Sequence, residues 1–184
     1  RSAMRRDGAA LVRFFRWLED EVVGGSDHRE REIAEILRGY RAAEEHFVSE
    51  AFNTIAGYGP NGAIVHYAPP AEDSAIIGTE SLLLLDSGGQ YLDGTTDITR
   101  TTTFGEPTEQ QRRDYTAVLK GHIALGTTPF PEGTTGHQLD TLARQHLWRH
   151  LANYGHGTGH GVGHFLNVHE GPQKISQRPI GVPL

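Results

Sequence analysis

The chain has 184 residues, enough for one ordinary domain with a buried core. Its formal net charge of −6 gives no electrostatic footprint for nucleic acid, whose binding proteins carry a clustered basic face. It has no long apolar run and no signal-like opening, so neither a membrane span nor secretion is indicated. The absence of cysteine excludes disulfides and thiolate metal sites and fits a reducing compartment, so we expect a cytoplasmic protein.

The first fifty residues predict two helices. Apolar residues recur at helical spacing over about 4–23, and Gly24 and Gly25 then favour a helix end. A second helix is expected from Ser26. Its apolar stripe consists of Ile33, Ile36, Leu37, Tyr40 and Ala43. We interpret the flanking charge runs, DHRERE and RAAEE, as solvated faces of this helix.

From Phe52 the chain changes to short β-prone stretches separated by turn residues. These stretches are NTIAGYGPNGAIVHYAPP, SLLLLDSGG and GTTDITRTTTF. They predict strands and hairpins.

Two capping boxes predict two more helices. Thr108 and Gln111 precede a helix to about residue 125, and Thr135 and Gln138 precede another through about residue 150. A Gly-rich segment follows. This order of helices, strands and helices predicts a single α+β domain over residues 1–184 rather than a string of βαβ units.

Two aspartates are the first candidate site residues. Asp86 ends the apolar run 82–85, and Asp97 lies on the next strand after a reversal near 91–94. A hairpin would bring both carboxylates together, and two like charges at the end of a buried strand need a cation or a shared proton. Asp93 precedes Gly94 in an Asp-Gly turn signal, so we interpret it as a turn residue.

A turn is also an alternative for Asp86, because Asp-Ser-Gly-Gly is a loop composition. Asp97 is harder to explain in that way. It lies in a threonine-rich, strand-favouring stretch, where aspartate is otherwise depleted.

His156, His160 and His164 are spaced by four residues. The glycines between them disfavour a helix, whereas an extended chain would place all three on one side. A ligand role for at least one histidine and a structural role for all of them both stay open.

Familiar catalytic motifs are absent. The glycines at 159–163 do not complete GxGxxG, and no Walker-type lysine loop or GxSxG elbow occurs. His169 and Glu170 begin an HExxH pattern, but position 173 is Gln. With carboxylate and imidazole donors in place, metal-assisted hydrolysis is the best chemical interpretation.

Four segments carry a resemblance to a known family. NGAIVHYAPP, LLDSGGQYLDGTTDITRTTTFG, LKGHIAL and HGTGHGVGHFLNVHEGP resemble the catalytic domain of aminopeptidase P, the Xaa-Pro aminopeptidases of the pita-bread metallopeptidase superfamily. The resemblance covers essentially the whole chain. It implies a pita-bread fold that is incomplete at the C-terminus, peptides with Pro at the second position as substrates, and a homodimer as a possibility for the full-length protein.

The resemblance also implies two divalent metal ions, with manganese as the usual ion and zinc or cobalt as alternatives. The family holds these ions with two Asp, one His and two Glu. Asp86, Asp97 and His160 match three of the ligands.

Other residues match supporting positions of the family site. His66, His156 and His169 stand where the family has histidines that line the substrate pocket, bind the prolyl side or stabilise the tetrahedral intermediate. Thr99 stands where the family has a residue that orients the Asp97 carboxylate.

The sequence departs from the family pattern at the two glutamates. The family carries them downstream in stretches resembling EPG and GIRIE, neither of which occurs here. We therefore expect incomplete metal binding and little turnover from this chain.

Two alternatives remain. A non-catalytic pita-bread domain that binds peptides or histones would have lost ligands, and this chain keeps three of them. A prolidase- or creatinase-type hydrolase is less favoured by the segments NVHEGP and HGTGHGVG.

Overall fold

The computed structural model describes residues 1–184 and divides the chain into two compact units. The N-terminal unit comprises Arg1–Pro107 and Val162–Val168, and the C-terminal unit comprises Thr108–Gly161 and His169–Leu184.

The N-terminal unit has two helices and eight short strands. Its elements are α1 (Ser2–Val23), β1 (His28–Arg29), α2 (Glu30–Ala42), β2 (Phe47–Glu50), β3 (Ile55–Tyr58), a 3₁₀ helix (Gly59–Ala63), β4 (Ile76–Ile77), β5 (Leu82–Ser87), β6 (Gly89–Tyr91), β7 (Gly94–Thr95) and β8 (Ile98–Thr103). The C-terminal unit consists of α3 (Glu109–Thr127), α4 (Gly136–Trp148), β9 (Gly159–Gly161) and β10 (Glu170–Ile175).

Helix α1 confirms the predicted first helix. Its buried residues recur at helical spacing and are Ala3, Asp7, Ala10, Leu11, Phe14, Leu18 and Val22. The helix ends at Gly24, whose N–H donates to the Asp20 carbonyl at 2.9 Å. Gly25 follows with φ of 87°, a left-handed conformation that glycine adopts without strain.

Helix α2 begins at Glu30 rather than at the predicted Ser26. The reason is tertiary: residues 28–29 form β1, which pairs antiparallel with β4. Of the predicted apolar stripe, Ile33 and Leu37 are fully buried, Ile36 and Tyr40 pack partly buried against the core, and Ala43 is exposed at the helix end.

The interpretation of the two charge runs as solvated faces is wrong for two residues of α2, which are buried, whereas the other residues of the runs are exposed or half-buried. Glu30 and Arg41 are 0 % exposed. Arg41 pairs with Asp7 of α1 at 2.6 Å and donates to Ser87 Oγ at 3.0 Å, and Tyr91 donates to Asp7 at 2.9 Å. A charge can be buried here because hydrogen-bonding partners replace its water.

Two antiparallel three-stranded sheets form the rest of this unit, with strand orders β3-β5-β8 and β2-β6-β7. β5 leads into β6, and β7 leads into β8, so one long hairpin joins both sheets. Alternate residues of β5 face the core, which confirms the predicted buried strand. The buried core cluster consists of Leu11, Phe14, Leu18, Val22, Ile33, Leu37, Ala56, Ile77, Leu83, Leu85 and Ile98.

Both predicted capping boxes are present in the C-terminal unit. At the start of α3, the Gln111 N–H donates to Thr108 Oγ1 at 3.2 Å, and the Thr108 N–H donates to Gln111 Oε1 at 2.8 Å. At the start of α4, the Thr135 N–H donates to Gln138 Oε1 at 2.8 Å. These contacts satisfy N–H groups that lack a partner in the first turn of a helix.

Helices α3 and α4 pack closely at Gly121. A Cβ atom at that position would lie 2.0 Å from the carbonyl oxygen of Ala143, so the backbones can approach only because the residue is glycine. Strands β9 and β10 pair antiparallel and complete the unit. None of the helices combines the length and apolar character needed to cross a membrane.

Replacing Asp7 with Asn should lower the free energy of unfolding by about 3–5 kcal/mol, because the buried Arg41 charge loses its compensating carboxylate. Urea denaturation measures the change. The control is Asp20→Asn on the same helix, where the Arg16–Asp20 ion pair is exposed to solvent and should contribute less than about 1 kcal/mol. Equal losses in both variants would contradict the structural role of the buried pair.

Candidate metal centre

Asp86 lies within strand β5, which excludes the turn interpretation for this residue. It is partly buried and pairs with Thr99 of β8. The Thr99 hydroxyl donates to Asp86 Oδ1 at 2.6 Å, so one carboxylate oxygen is held in place. The family resemblance implies that Thr99 orients the Asp97 carboxylate, whereas its observed hydrogen bond is to Asp86. The partner is Asp86 because Thr99 stands directly opposite it in the antiparallel register.

Asp97 is partly buried and immediately precedes β8. It lies two residues before Thr99, and side chains two residues apart share a face of an extended chain. Because Asp86 stands opposite Thr99, the two carboxylates are diagonal neighbours on that face. The predicted hairpin is therefore confirmed, and it carries both acidic groups.

Gly88 is required where this hairpin changes from one sheet to the next. A Cβ atom at Gly88 would lie 2.0 Å from the carbonyl oxygen of Thr96. Gly88 thus reflects close backbone contact between the two arms of the hairpin rather than a chain reversal.

Asp93 lies at the tip of the same hairpin, as the Asp-Gly signal predicted. It forms an ion pair with Arg6 of α1. Burial acts to raise the pKa of Asp93, but the hydrogen bond and charge of Arg6 outweigh it, and the pKa falls below its usual value. Arg6 thus already supplies the positive partner of this carboxylate.

His160 lies at the centre of β9 in the C-terminal unit. Its Nδ1 is 2.8 Å from the carbonyl oxygen of Gly161. A carbonyl oxygen only accepts hydrogen bonds, so Nδ1 is the donor in this contact, and a neutral imidazole with its proton on Nδ1 has its lone pair on Nε2. This is the tautomer that a metal ligand needs at Nε2.

His169 precedes β10 and lies beside His160, with 4.0 Å between the ring centroids. The pairing of β9 with β10 produces this proximity, since Glu170 stands opposite Gly161. The C-terminal unit therefore brings a predicted ligand and a predicted pocket histidine together.

His156 is exposed in a bend before β9, where its Nδ1 lies 2.8 Å from the Gly157 carbonyl oxygen. The expected extended arrangement of three histidines is wrong, because only 159–161 forms a strand in this stretch. His164 lies in a separate bend that belongs to the N-terminal unit. Glycine at every second position allows these bends.

A buried ion pair on α4 holds the backbone on which His156 lies. Arg144 is 0 % exposed and pairs with Asp140 at 2.7 Å. Its guanidinium also donates to the carbonyl oxygens of Tyr154 at 2.7 Å and His156 at 2.8 Å, and to Asn153 Oδ1 at 2.9 Å. These contacts fix the turn-rich segment that follows the helix.

The same pair also anchors the start of β9. The Thr158 hydroxyl donates to Asp140 Oδ1 at 2.5 Å and lies 2.5 Å from the Tyr154 hydroxyl. The Arg144 guanidinium stacks over the Tyr154 ring at 3.7 Å. Sequence reasoning missed this network, although the spacing of Asp140 and Arg144 within the buried stripe of α4 is a signal for it.

His66 lies in the N-terminal unit, on the exposed loop after the 3₁₀ helix, with φ of 58°. Buried Glu30 holds this loop at several points. Its carboxylate accepts hydrogen bonds from Tyr58 N–H (2.7 Å), Asn61 Nδ2 (2.9 Å), Tyr67 Oη (2.8 Å) and Ala75 N–H (3.2 Å). Burial and the bond to Glu30 raise the pKa of Tyr67 to about 12, so its hydroxyl stays a donor.

Comparison with known proteins identifies the family. The sequence model of metallopeptidase family M24 matches residues 1–184. The chain belongs to metallopeptidase family M24. The described fold agrees, and the expected pita-bread fold is confirmed by the structural relatives below.

Several related proteins have names that specify an activity. The chain is 53 % identical over 173 residues to a probable Xaa-Pro aminopeptidase P of Laccaria bicolor, covering 94 % of this chain and 27 % of that protein. It is 47 % identical over 200 residues to aminopeptidase P1 of Lotus japonicus, covering 97 % of this chain and 30 % of that protein. The chain thus spans less than a third of the length of these relatives.

Solved structures are similar as well. An X-prolyl aminopeptidase from Caenorhabditis elegans, described as a cytosolic enzyme with a di-nuclear active site, matches with a TM-score of 0.96 and 44 % identity, over 100 % of this chain and 30 % of that one. A prolidase from Pyrococcus furiosus matches with a TM-score of 0.78 and 28 % identity, over 100 % of this chain and 52 % of that one.

Replacing Arg144 with Lys should loosen the segment 153–158, because an ammonium group cannot reach the same four oxygen-bearing partners as a planar guanidinium. We expect amide hydrogen exchange in that segment to accelerate at least about tenfold, since hydrogen bonds to charged groups contribute roughly 1.5–3 kcal/mol each. Arg149→Lys, an exposed position just beyond the same helix, is the control and should leave the exchange rates unchanged.

Proposed function

We propose that this chain forms part of the single catalytic domain of a metal-dependent aminopeptidase that releases the first residue from peptides with Pro at the second position. The observation that carries the proposal is the pair of carboxylates, Asp86 and Asp97, on one hairpin of a chain that the M24 family matches throughout, with Asp86 oriented by Thr99. Similarity to Xaa-Pro aminopeptidases at about half identical residues supports the substrate class.

Asp86, Asp97 and His160 are the proposed ligands of two divalent ions. Their carboxylate oxygens and imidazole nitrogen fit manganese, zinc or cobalt, and the absence of cysteine removes the thiolate sites that softer ions favour. The di-nuclear active site described for the Caenorhabditis elegans enzyme supports the number of ions. When bound, such ions would polarise the scissile carbonyl and lower the pKa of a water molecule.

The residues of the chain itself prepare these ligands. Thr99 orients the Asp86 carboxylate, and the Gly161 carbonyl selects the His160 tautomer with its lone pair on Nε2. Outer partners of this kind limit the positions that a ligand can adopt.

We further propose that His66, His156 and His169 contact the substrate. Imidazole is suited to this role because its pKa lies near working pH, so it can donate a hydrogen bond to a developing oxyanion and transfer a proton. The contact of His169 with His160 supports the assignment of His169.

The family resemblance implies two glutamate ligands, which matter for metal binding and turnover by this chain when it is tested by itself. Neither an EPG nor a GIRIE stretch occurs in the sequence. Carboxylates offset the charge of a second divalent ion, and the chain lacks the two that these stretches would supply. We therefore propose weak metal binding and slow turnover for the chain by itself. A cytoplasmic location is supported by the absence of cysteine and by the cytosolic relative.

Calorimetric titration with Mn²⁺ tests the ligand assignment. We expect weak binding by the unaltered chain and a further loss of affinity in Asp86→Asn and in Asp97→Asn. Asp93→Asn is the matched control, because Asp93 lies on the same hairpin but pairs with Arg6. Tight binding of two ions would contradict the proposed incomplete site, and no binding at all would favour a non-catalytic binding domain.

Peptide hydrolysis tests the substrate class. With Mn²⁺ present we expect slow release of the first residue from an Xaa-Pro tripeptide and none from the matching Xaa-Ala tripeptide. Equal cleavage of both peptides would contradict the assignment to proline-containing peptides. Faster cleavage of the Xaa-Pro dipeptide than of the tripeptide would favour the prolidase-like function suggested by the Pyrococcus furiosus relative.

Replacing Thr99 with Val should weaken Mn²⁺ binding by about 10- to 100-fold, the usual effect of removing an outer hydrogen-bond partner of a metal ligand. Calorimetry again provides the measurement. Thr101→Val is the control on the same strand, since Thr101 stands opposite Leu84 rather than opposite a carboxylate. An unchanged affinity in Thr99→Val would show that the hydroxyl has no part in ordering Asp86.

A further inference from the structure

A basic cavity of about 360 Å³ lies between helices α3 and α4 of the C-terminal unit. Three of its basic side chains come from α3, and three come from the end of α4 and the residues after it. These are Arg112, Arg113, Lys120, His146, Arg149 and His150. It shares no residue with the proposed metal centre.

The packing of the two helices produces the cavity. The helix backbones approach each other closely where Gly121 meets Ala143. One turn earlier in α3 stands Ala117, which is 4 % exposed and lines the cavity with a small side chain. The longer basic side chains surround this small residue, so the space between the helices has a basic wall on both sides.

The charge of the cavity is opposite to that of the chain. No Asp or Glu lines it, whereas the whole chain carries a formal net charge of −6. His146 and Arg149 are close to the C-terminal end of α4, where the helix macrodipole favours cations. The macrodipole does not account for Arg112 and Arg113, which follow the first turn of α3, near the helix end that favours anions. The Arg113 guanidinium pairs with the neighbouring Asp114 carboxylate at 3.3 Å, so Lys120 and Arg149 supply the exposed positive charge of the cavity.

We propose that this cavity binds a short polyphosphate chain. Guanidinium groups match the geometry of phosphate oxygens with paired hydrogen bonds, and lysine adds a compact positive charge. The volume falls within the range of roughly 300–1,000 Å³ that small-molecule pockets occupy. No Phe, Tyr or Trp ring lines the cavity to stack on a nucleobase, so the phosphate chain itself is the recognised group.

Calorimetry with sodium tripolyphosphate, in the absence of divalent metal, tests this proposal. Sodium sulfate at the same ionic strength is the reference for weak ion binding. The double variant Lys120→Gln/Arg149→Gln removes one exposed cation from each wall of the cavity. The matched control, Arg31→Gln/Arg38→Gln, makes the same charge change at exposed positions of α2.

We expect tripolyphosphate to bind the unaltered chain and to bind at least about tenfold more weakly to the cavity variant, since two charge-assisted contacts are lost. The control variant should stay within about twofold of the unaltered chain, because exposed distant charges are screened. The Ala117 methyl resonance should shift on titration, which locates the ligand. If the double variant fails to fold, Arg149→Gln alone gives the same test with a smaller expected loss.

Three results would overturn the proposal. The first is the absence of any heat of binding with the unaltered chain, and the second is equal affinity for sulfate and tripolyphosphate. The third is an equal loss of tripolyphosphate affinity in the cavity variant and in the control variant. The last result would assign the binding to the overall charge of the chain rather than to this cavity.

Discussion

The antiparallel pairing of β5 with β8 is the constraint on which the proposed metal centre depends. It sets Thr99 opposite Asp86, and it makes Asp97 a diagonal neighbour on the same face. A slip of one residue would turn both carboxylates to the other face of the strand. The leucines of β5 do not prevent such a slip, since Leu82 and Leu84 could replace Leu83 and Leu85, but the slip would bury the Asp86 carboxylate in the place of Ser87, which is 0 % exposed.

Each of the two units contains a buried arginine–aspartate pair that joins a helix to a neighbouring strand or loop. Arg41 joins α2 to Asp7 of α1 and to Ser87, the residue after Asp86. Arg144 joins α4 to Asp140 and to backbone carbonyls of the histidine-bearing segment. In each case one guanidinium supplies several donors at fixed angles, so a helix can hold a neighbouring strand or loop in a single position. The functional segments are thus positioned by buried charge as well as by apolar packing.

Membership of metallopeptidase family M24 agrees with this arrangement. The proposed ligands are an acidic pair on one hairpin and a histidine on a short strand, and Asp86 and His160 each have a hydrogen-bond partner that orients them. The proposed substrate residues lie on loops, which suits groups that must meet a variable peptide. The basic cavity between α3 and α4 is built from a different set of residues, so the two sites can be tested separately.

Local patterns in the sequence were sufficient for much of the fold. The apolar spacing of α1, both capping boxes, the buried strand before Asp86 and the Asp-Gly turn are determined by neighbouring residues, and each was predicted correctly. The resemblance to aminopeptidase P agrees with the match to metallopeptidase family M24, because its motifs are long and specific.

Only the tertiary structure decided which charged residues are buried and which partners they have. Glu30, Arg41, Asp140 and Arg144 occupy helical stripe positions beside apolar residues, yet a charge there is stable only if distant groups supply its hydrogen bonds. The start of α2 depends on a strand some fifty residues away, and the partner of Thr99 depends on strand register. Sequence alone determines local conformation, whereas contacts between remote segments set burial, register and the orientation of the site residues.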